Sequence, residues 1–582
     1  MAATHRFILA TLMAAIAVMA AGCPSRGTSD SDVSLESLVD EGEGPPLAPV
    51  ITPAPAPIID STPSTESTRA PRGRATVALL DPKRTAGGPV GPPTQVSPGA
   101  APAGLTQPAP EGEVAEQAKQ REPLFVDWGK PKLAFAITGQ QHGYLEPCGC
   151  TGLANQKGGM ARRHTLFKDL RSRGWTLVPL DVGGQVRRPG PQAESKFKWT
   201  TEALFKLDYK AVTYGADDLM LSSGELAFPM LNSPESPYPF ICSNVSVISS
   251  TPTHRVLEAG GLRIGITAVL GDEEIKSLKN NPGVEWRSVD AGLKDAWTKL
   301  SAQNCNFYVL MAHASVNESR EIARRFPHFH LVVTTGLGEP EQLPERIQVA
   351  KDKVTMMIQA GNKAMYAGVL ALYDSKPQVR YQRVPLDDRF EDSPEMLKVL
   401  RDYQAELKER GLKQLGAIEV PHFSGNKFVG SEACKDCHSK AFKKWATTGH
   451  AHATDSIVNP KERAGIQRHF DPECLSCHVT GWAPQDYTPY VSGYASLEST
   501  AHLKQNGCEN CHGPGQRHVD IENGDLNVSE ADQQEARKQL QLPYARAKEQ
   551  CIMCHDQDNS PDFFKDGAFE RYYEKIKHVG KD

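Results

Sequence analysis

Hydrophobic and polar positions divide the chain into stretches of different character. After His5 and Arg6, residues 7–21 are apolar almost without interruption. Residues 24–123 show no hydrophobic period and are rich in Pro, Ala, Ser, Thr and Gly, as in Pro53-Ala-Pro-Ala-Pro57 and Pro92-Pro93. Such composition buries no core and predicts an extended tether. From Leu124 short apolar runs alternate with amphipathic stretches. The runs Leu133–Thr138, Trp175–Asp181, Lys210–Thr213, Leu262–Ala268, Phe307–Met311 and Leu331–Thr334 read as strands. Met160–Leu170, Thr200–Leu207, Ala291–Leu300 and Ser319–Arg325 read as helices between them. Strands alternating with helices predict an α/β layered sandwich; the alternation fades near Tyr373, and the domain is set at 124–385. Glu391–Arg410 is then one amphipathic helix, with Ser393-Pro394 as start signal and Gly411 as stop. It is expected to connect, within 386–425, to a last domain at 426–582.

A chain of 582 residues holds two or three domains. Its net charge of −5 gives no sign of nucleic-acid binding. The apolar run at 7–21 is short for a membrane span and reads as a secretion signal. It ends in Ala20-Ala21-Gly22-Cys23. Small residues before a Cys resemble a bacterial lipobox, which implies a lipoprotein-type signal over residues 1–23 with lipidation and cleavage at Cys23. An ordinary secretory signal cut nearby is the alternative. Either exports the protein to the bacterial periplasm or cell surface.

The last domain spells Cys-x-x-Cys-His four times: Cys434-Lys-Asp-Cys437-His438, Cys474-Leu-Ser-Cys477-His478, Cys508-Glu-Asn-Cys511-His512 and Cys551-Ile-Met-Cys554-His555. This is the attachment pattern of a c-type heme. Both thiols add across the porphyrin vinyl groups, and the adjacent His ligates the iron from below. A zinc site uses similar Cys pairs but gives no reason for a His after every second Cys. Four c-type hemes are therefore expected, with His438, His478, His512 and His555 as proximal ligands. His422, His450, His452, His469, His502, His518 and His578 supply candidates for the sixth positions. Heme of this type is attached on the export side, in agreement with the signal.

Between the tether and the hemes, His142-Gly-Tyr-Leu-Glu-Pro147, Gly158-Gly159-Met160-Ala161-Arg162, Leu180-Asp181-Val182-Gly183 and Tyr214-Gly215 resemble the 5′-nucleotidase branch of the calcineurin-like metallophosphoesterases. The resemblance covers roughly Lys132–Tyr373. It implies a two-metal centre on the loops at the strand ends, which polarises a phosphate ester and activates water. Most of the implied ligands are replaced. Gln140-Gln141-His142 stands where the family has Asp-x-His, Gly184 where it has the bridging Asp, and Ala216-Asp217 where it has Asn-His. His313 matches a ligand, and the final Gly-His-x-His falls at Gly336-Leu-Gly-Glu339. Two hard cations need more donors than His142 and His313, so hydrolysis is expected to be lost. A changed site using Asp181, Asp217 or Asp218 is the open alternative, their ordinary role being turn hydrogen bonds. The same loop carries Cys148-Gly149-Cys150. These Cys form a structural disulfide, with each other or with Cys242 or Cys305, or a redox dithiol or soft-metal site beside His142. Similar exported nucleotidase-like proteins with this loop point to redox chemistry and make Cys148, Cys150 and His142 the catalytic candidates. Cys242 and Cys305 are expected to be buried thiols.

Beyond Asn426, several sequences are similar to the cytochrome c-554 type of tetraheme cytochrome. They are Phe442-Lys-Lys-Trp445, Gly449-His450-Ala451-His452, Pro472–Gly481, Gly507–Gly515 with His518, Ser560-Pro-Asp-Phe-Phe564 and Ile576-Lys-His578. The resemblance implies a mostly α, loop-rich domain wrapped on its hemes. It also implies distal ligands at His450 and His518, each serving a heme other than that of its own motif, then His578, with His452 and His502 next. One heme of this family can lack a distal protein ligand. The expected protein is a multidomain, membrane-anchored lipoprotein that transfers electrons to redox partner proteins of the periplasm or membrane. A metal-dependent phosphoesterase and a heme redox enzyme with an open axial site are the alternatives.

Overall fold

The computed structural model describes residues 121–147, 156–231, 238–278, 280–336, 338–557 and 559–580. The signal, Cys23, nearly all of the tether, and Cys148 and Cys150 lie outside these residues.

Two sheets face each other in the middle domain. The first has the order β13-β12-β1-β2-β3, with β1 Leu133–Thr138, β2 Leu177–Asp181, β3 Ala211–Val212, β12 Tyr366–Leu372 and β13 Val379–Pro385. The second has the order β10-β11-β9-β8-β6-β5, with β5 His254–Ala259, β6 Leu262–Leu270, β8 Phe307–His313, β9 Leu331–Thr334, β10 Glu345–Ala350 and β11 Lys353–Gln359. A small ribbon pairs β4 Val245–Val247 with β7 Val284–Trp286. Every residue of β1, β2 and β12 is buried, the mark of strands covered on both faces. Phe135, Ile137, Leu180, Ile264, Phe307, Val309 and Leu370 fill the space between the sheets, and Phe135 stacks on Phe307 at 5.6 Å.

Helices cover the outer faces. On the first sheet lie α1 Met160–Ser172 and α2 Pro191–Lys206; on the second lie α3 Val289–Ser301 and α4 Val316–Arg325. The chain is therefore an α/β layered sandwich followed by a helical region, as the alternation of elements predicts. Three parallel strands, β1, β2 and β3, run side by side. Parallel pairing puts the loops that follow them at one edge of the sheet, together with the end of β8. Gln140–His142, Val182–Gln185, Tyr214–Asp218 and His313 all sit on this edge.

Two differences from the sequence pattern have physical causes. Helix α2 begins at Pro191 rather than near Thr200, because Gly190 turns at φ 128° and Pro191 opens the first turn. Its early polar residues Gln192, Ser195 and Lys196 are buried, so apolar periodicity does not mark them. The predicted connector, α5 Pro394–Gln414, is broken at Gly411, where φ is 70°. It is more than a spacer: Met396, Val399, Leu400, Tyr403 and Leu407 join the core over the first sheet.

The C-terminal region is built from short helices. They include α6 Ser439–Ala446, α7 Pro472–His478, α8 Cys508–His512, α9 Gln516–Glu522, α10 Glu530–Gln539, α11 Tyr544–Cys551 and α12 Ala568–Ile576. Its apolar clusters are small. One comprises Phe428, Ile457, Leu475, Val479, Trp482, Tyr494 and Leu503 with Ala417, and another Ala547, Phe563 and Phe569. No helix among the described residues is long and apolar enough to cross a membrane.

Candidate heme centres and the strand-end site

Each Cys-x-x-Cys-His motif is a helical turn, which turns the two Cys and the His toward one side. In the first, the His438 amide donates to Cys434 O at 3.0 Å; in the fourth, the His555 amide donates to Cys551 O at 2.8 Å. The second and third motifs form α7 and α8 outright. Helix α7 is capped by Asp471, whose Oδ1 accepts the Glu473 amide at 3.0 Å. From α8, the Glu509 carboxylate gathers the amides of Val429, Gly430 and Gly515.

Three of the four proximal imidazoles are oriented through Nδ1. His478 Nδ1 lies 2.6 Å from Ala453 O, and His512 Nδ1 lies 2.7 Å from Leu540 O. His555 Nδ1 lies 3.1 Å from Ser560 Oγ. A ring that donates from Nδ1 keeps the Nε2 lone pair for a metal.

Three of the four proximal rings face a second imidazole. Ring centroids are 6.4 Å apart for His438 and His518, 6.1 Å for His450 and His555, and 5.7 Å for His512 and His578. A metal–imidazole bond of about 2 Å on either side of one iron, plus the ring radii, gives about 6 Å. The residues therefore fit bis-His hemes. Burial, with His555 and His478 nearby, pushes His450 down to about 4, which keeps its ring in the neutral form that ligates iron. His478 has no facing ring among the described residues. His452 and His502 are exposed. His422 packs on Phe423, Phe428 and Tyr490, and His469 packs on Phe470. The structure does not bring these four to a proximal ring.

At the strand ends of the middle domain the donors are already used. Asp181 accepts from Thr138 Oγ1 at 2.6 Å, Gln185 Nε2 at 2.7 Å and the Gly183 amide at 3.0 Å. Asp218 accepts from the amides of Gly215, Val186 and Gly184 at 2.8, 2.9 and 3.0 Å. Burial pushes Asp218 up to about 7 against these donors, and burial with Glu274 pushes Asp217 up to about 6. The Gln140 side chain accepts the Gly336 amide at 2.9 Å. His313 Nδ1 lies 2.7 Å from Val182 O. A Cβ at Gly184, where φ is 78°, would stand 3.2 Å from His313 Cε1 and 3.3 Å from the Gln140 backbone. The ring of His313 and Gln140 thus crowd the place of a bridging carboxylate. Among the described residues no group of three or more His, Cys, Asp or Glu is arranged to hold a metal ion. This donor set does not fit a pair of hard cations, which require several carboxylate oxygens. Cys242 and Cys305 are buried free thiols.

Residues 433–513 match the family described as cytochrome c554 and c-prime. The C-terminal region carries a cytochrome c554 domain. Cytochrome c-554 of Nitrosomonas europaea is 33% identical over 97 residues, which is 15% of this chain and 39% of that protein. The middle domain has a 5′-nucleotidase-like, calcineurin-type phosphoesterase fold. The snake venom 5′-nucleotidase of Crotalus adamanteus is 23% identical over 283 residues, 46% of this chain and 47% of that protein. The 5′-nucleotidase precursor from Thermus thermophilus aligns at 19% identity and a TM-score of 0.42, over 57% of this chain and 68% of that one. The chain spans less than half the length of the curated relatives it matches.

The cytochrome domain is fastened to the phosphoesterase-like domain by polar contacts that local sequence pattern does not announce. Asp471, the cap of α7, accepts from Gln192 Nε2 of α2 at 2.7 Å and from Gln404 Nε2 of α5 at 3.2 Å. Lys196 of α2 donates to Glu473 of α7 at 2.5 Å. Arg188 donates to Gln485 O at 2.8 Å and lies 4.4 Å over the Tyr487 ring. Gln485 in turn donates to Met553 O, inside the fourth motif, at 2.6 Å. The side chain of Arg463 is fully buried. It pairs with Glu462 at 3.0 Å and Glu146 at 3.5 Å, and hydrogen-bonds Gln156. Burial raises the Glu146 carboxyl to about 7, and Arg463 opposes the shift. Glu146 and Gln156 flank the undescribed segment that holds Cys148 and Cys150.

Proposed function

We propose that this protein is an exported, lipid-anchored multiheme cytochrome that passes electrons through four covalently attached hemes. The observation that carries the reading is the set of three imidazole pairs around Cys-x-x-Cys-His motifs, His438 with His518, His512 with His578 and His555 with His450. A heme bound there supplies a one-electron couple. The two Cys of each motif would hold it covalently, and the paired imidazoles would ligate its iron, with the His512 and His555 rings oriented through Nδ1. Bis-His iron has no vacant site, which suits electron transfer. The phosphoesterase-like domain binds a partner or substrate without hydrolysing phosphate esters, since Asp181, Asp218 and Gln140 spend their oxygens on the fold.

The test is heme and metal content per chain, on protein from a host that matures c-type heme, together with a nucleotide hydrolysis assay in added Mn²⁺. Four hemes, no other bound metal and no hydrolysis are expected. Hydrolysis that His142→Ala abolishes would replace this reading with the phosphoesterase one.

Two further roles rest on particular observations. No ring faces His478 among the described residues, so a heme held by the second motif would leave room for a small ligand at its iron. The segment around Cys148 and Cys150 exchanges electrons as a dithiol. The support is Arg463 of the cytochrome domain, which holds both flanking residues, Glu146 and Gln156. Alkylation followed by mass measurement should show two more free thiols when the hemes are chemically reduced than when they are oxidised. An unchanged thiol count would remove the dithiol role.

A further inference from the structure

Resting on the four-heme reading, we propose that the phosphoesterase-like domain sets the reduction potential of the second heme through Lys196, a positioning residue that supplies charge across the domain boundary. Lys196 belongs to α2 of one domain, and Glu473 precedes Cys474, the first attachment residue of that heme. Their side chains meet at 2.5 Å and are 11% and 36% exposed. The Lys196 ammonium lies within electrostatic reach of Asp471 and Cys474 as well.

Reduction of a heme iron adds one electron and lowers the charge on the iron by one. A fixed charge nearby therefore biases the couple, and burial keeps water and salt from screening the bias. Lys196 and Glu473 nearly cancel as a pair. Either one alone would not.

The same lysine also touches the strand-end loops. Gly143 follows His142 with φ 78°, and a Cβ there would lie 2.8 Å from Lys196 Cδ and 3.2 Å from its Nζ. Glycine, with its positive φ and no side chain, lets the loop lie directly on the lysine. The loop that bears His142 and the helix that bears Cys474, Cys477 and His478 thus share one buried cation. Coupling of this kind is reciprocal. A ligand that displaces the His142 loop changes the potential of the second heme, and reduction of that heme changes the field at the loop.

The experiment is a spectroelectrochemical titration of the full-length holoprotein and of three variants, Lys196→Met, Glu473→Gln and the double variant. Heme content is measured on each. Lys196→Met leaves the Glu473 carboxylate uncompensated, which stabilises ferric iron and lowers the potential of one heme wave out of four. Glu473→Gln removes the ammonium's nearest negative charge and raises the same wave. The double variant returns the wave toward its original position. Opposite shifts confined to one wave are the expected result. Unmoved waves, shifts of the same sign in both single variants, or loss of the second heme from both would overturn the proposal, because a purely structural pair gives these. A wild-type chain with fewer than four hemes would instead remove the reading on which the proposal rests.

Discussion

Chain made without heme attachment should lose residues 426–582 to protease while the phosphoesterase-like domain survives. The two domains differ in what they bury. The middle domain has continuous apolar clusters between its sheets and beneath its helices, with members such as Phe135, Ile266, Val309 and Leu370 fully or almost fully buried. The cytochrome domain offers Phe428, Ile457, Leu475, Trp482 and a few others, with Phe563 and Phe569 in a separate patch. Burial of apolar surface contributes roughly 25 cal/mol per Å², and clusters of this size do not offset the entropy of ordering the chain around them. The porphyrins provide the missing surface, so binding and folding are one process, as in small metal domains. Helix α5 should remain in the protected fragment, because Val399, Tyr403 and Leu407 belong to the middle domain's core. Limited proteolysis with mass measurement of the fragments checks this. A protease-resistant cytochrome domain free of heme would contradict it.

Substitution of the distal histidines should change the spin state of one iron at a time. His518→Ala, His450→Ala and His578→Ala each remove a ring that faces a proximal imidazole, and each should convert one low-spin heme to high-spin. His452→Ala and His502→Ala should leave the spectrum unchanged, since both residues are exposed and face no proximal ring. His450 should show the clearest effect. Burial holds its ring in the neutral form that ligates iron. Electron paramagnetic resonance of the ferric proteins reads both results. An all-low-spin His450→Ala protein would show that another residue ligates that iron.

The sequence revealed the parts of this molecule that obey short-range rules. Strands such as β1 and β9 are buried runs of apolar residues and stand out in any window. The heme motifs are read from five residues each, and the loops at the strand ends from a handful. What remained hidden depends on residues far apart in the chain. The edge strands β10 and β13 do not stand out as the central ones do. The edge strand β10 is half exposed and polar, and β13 is an edge strand of intermediate burial. Helix α2 hides its first turns because Gln192, Ser195 and Lys196 are buried against the cytochrome domain or α5 by polar contacts rather than by apolar packing. The match of each distal histidine to its heme requires the fold, since His438 meets His518 and His450 meets His555 across many short helices. The carboxylates of Asp181 and Asp218 could be read as turn residues or metal ligands from sequence. The donors that fill their oxygens decide for the first.

The measurement that bears most directly on the account is the number and spin state of the hemes in the purified ferric protein, by heme quantitation and electron paramagnetic resonance. The account predicts four hemes per chain, three low-spin with two axial histidines and one high-spin on His478. Fewer than four hemes would contradict the electron-transfer reading. Four low-spin hemes would contradict an open position at His478.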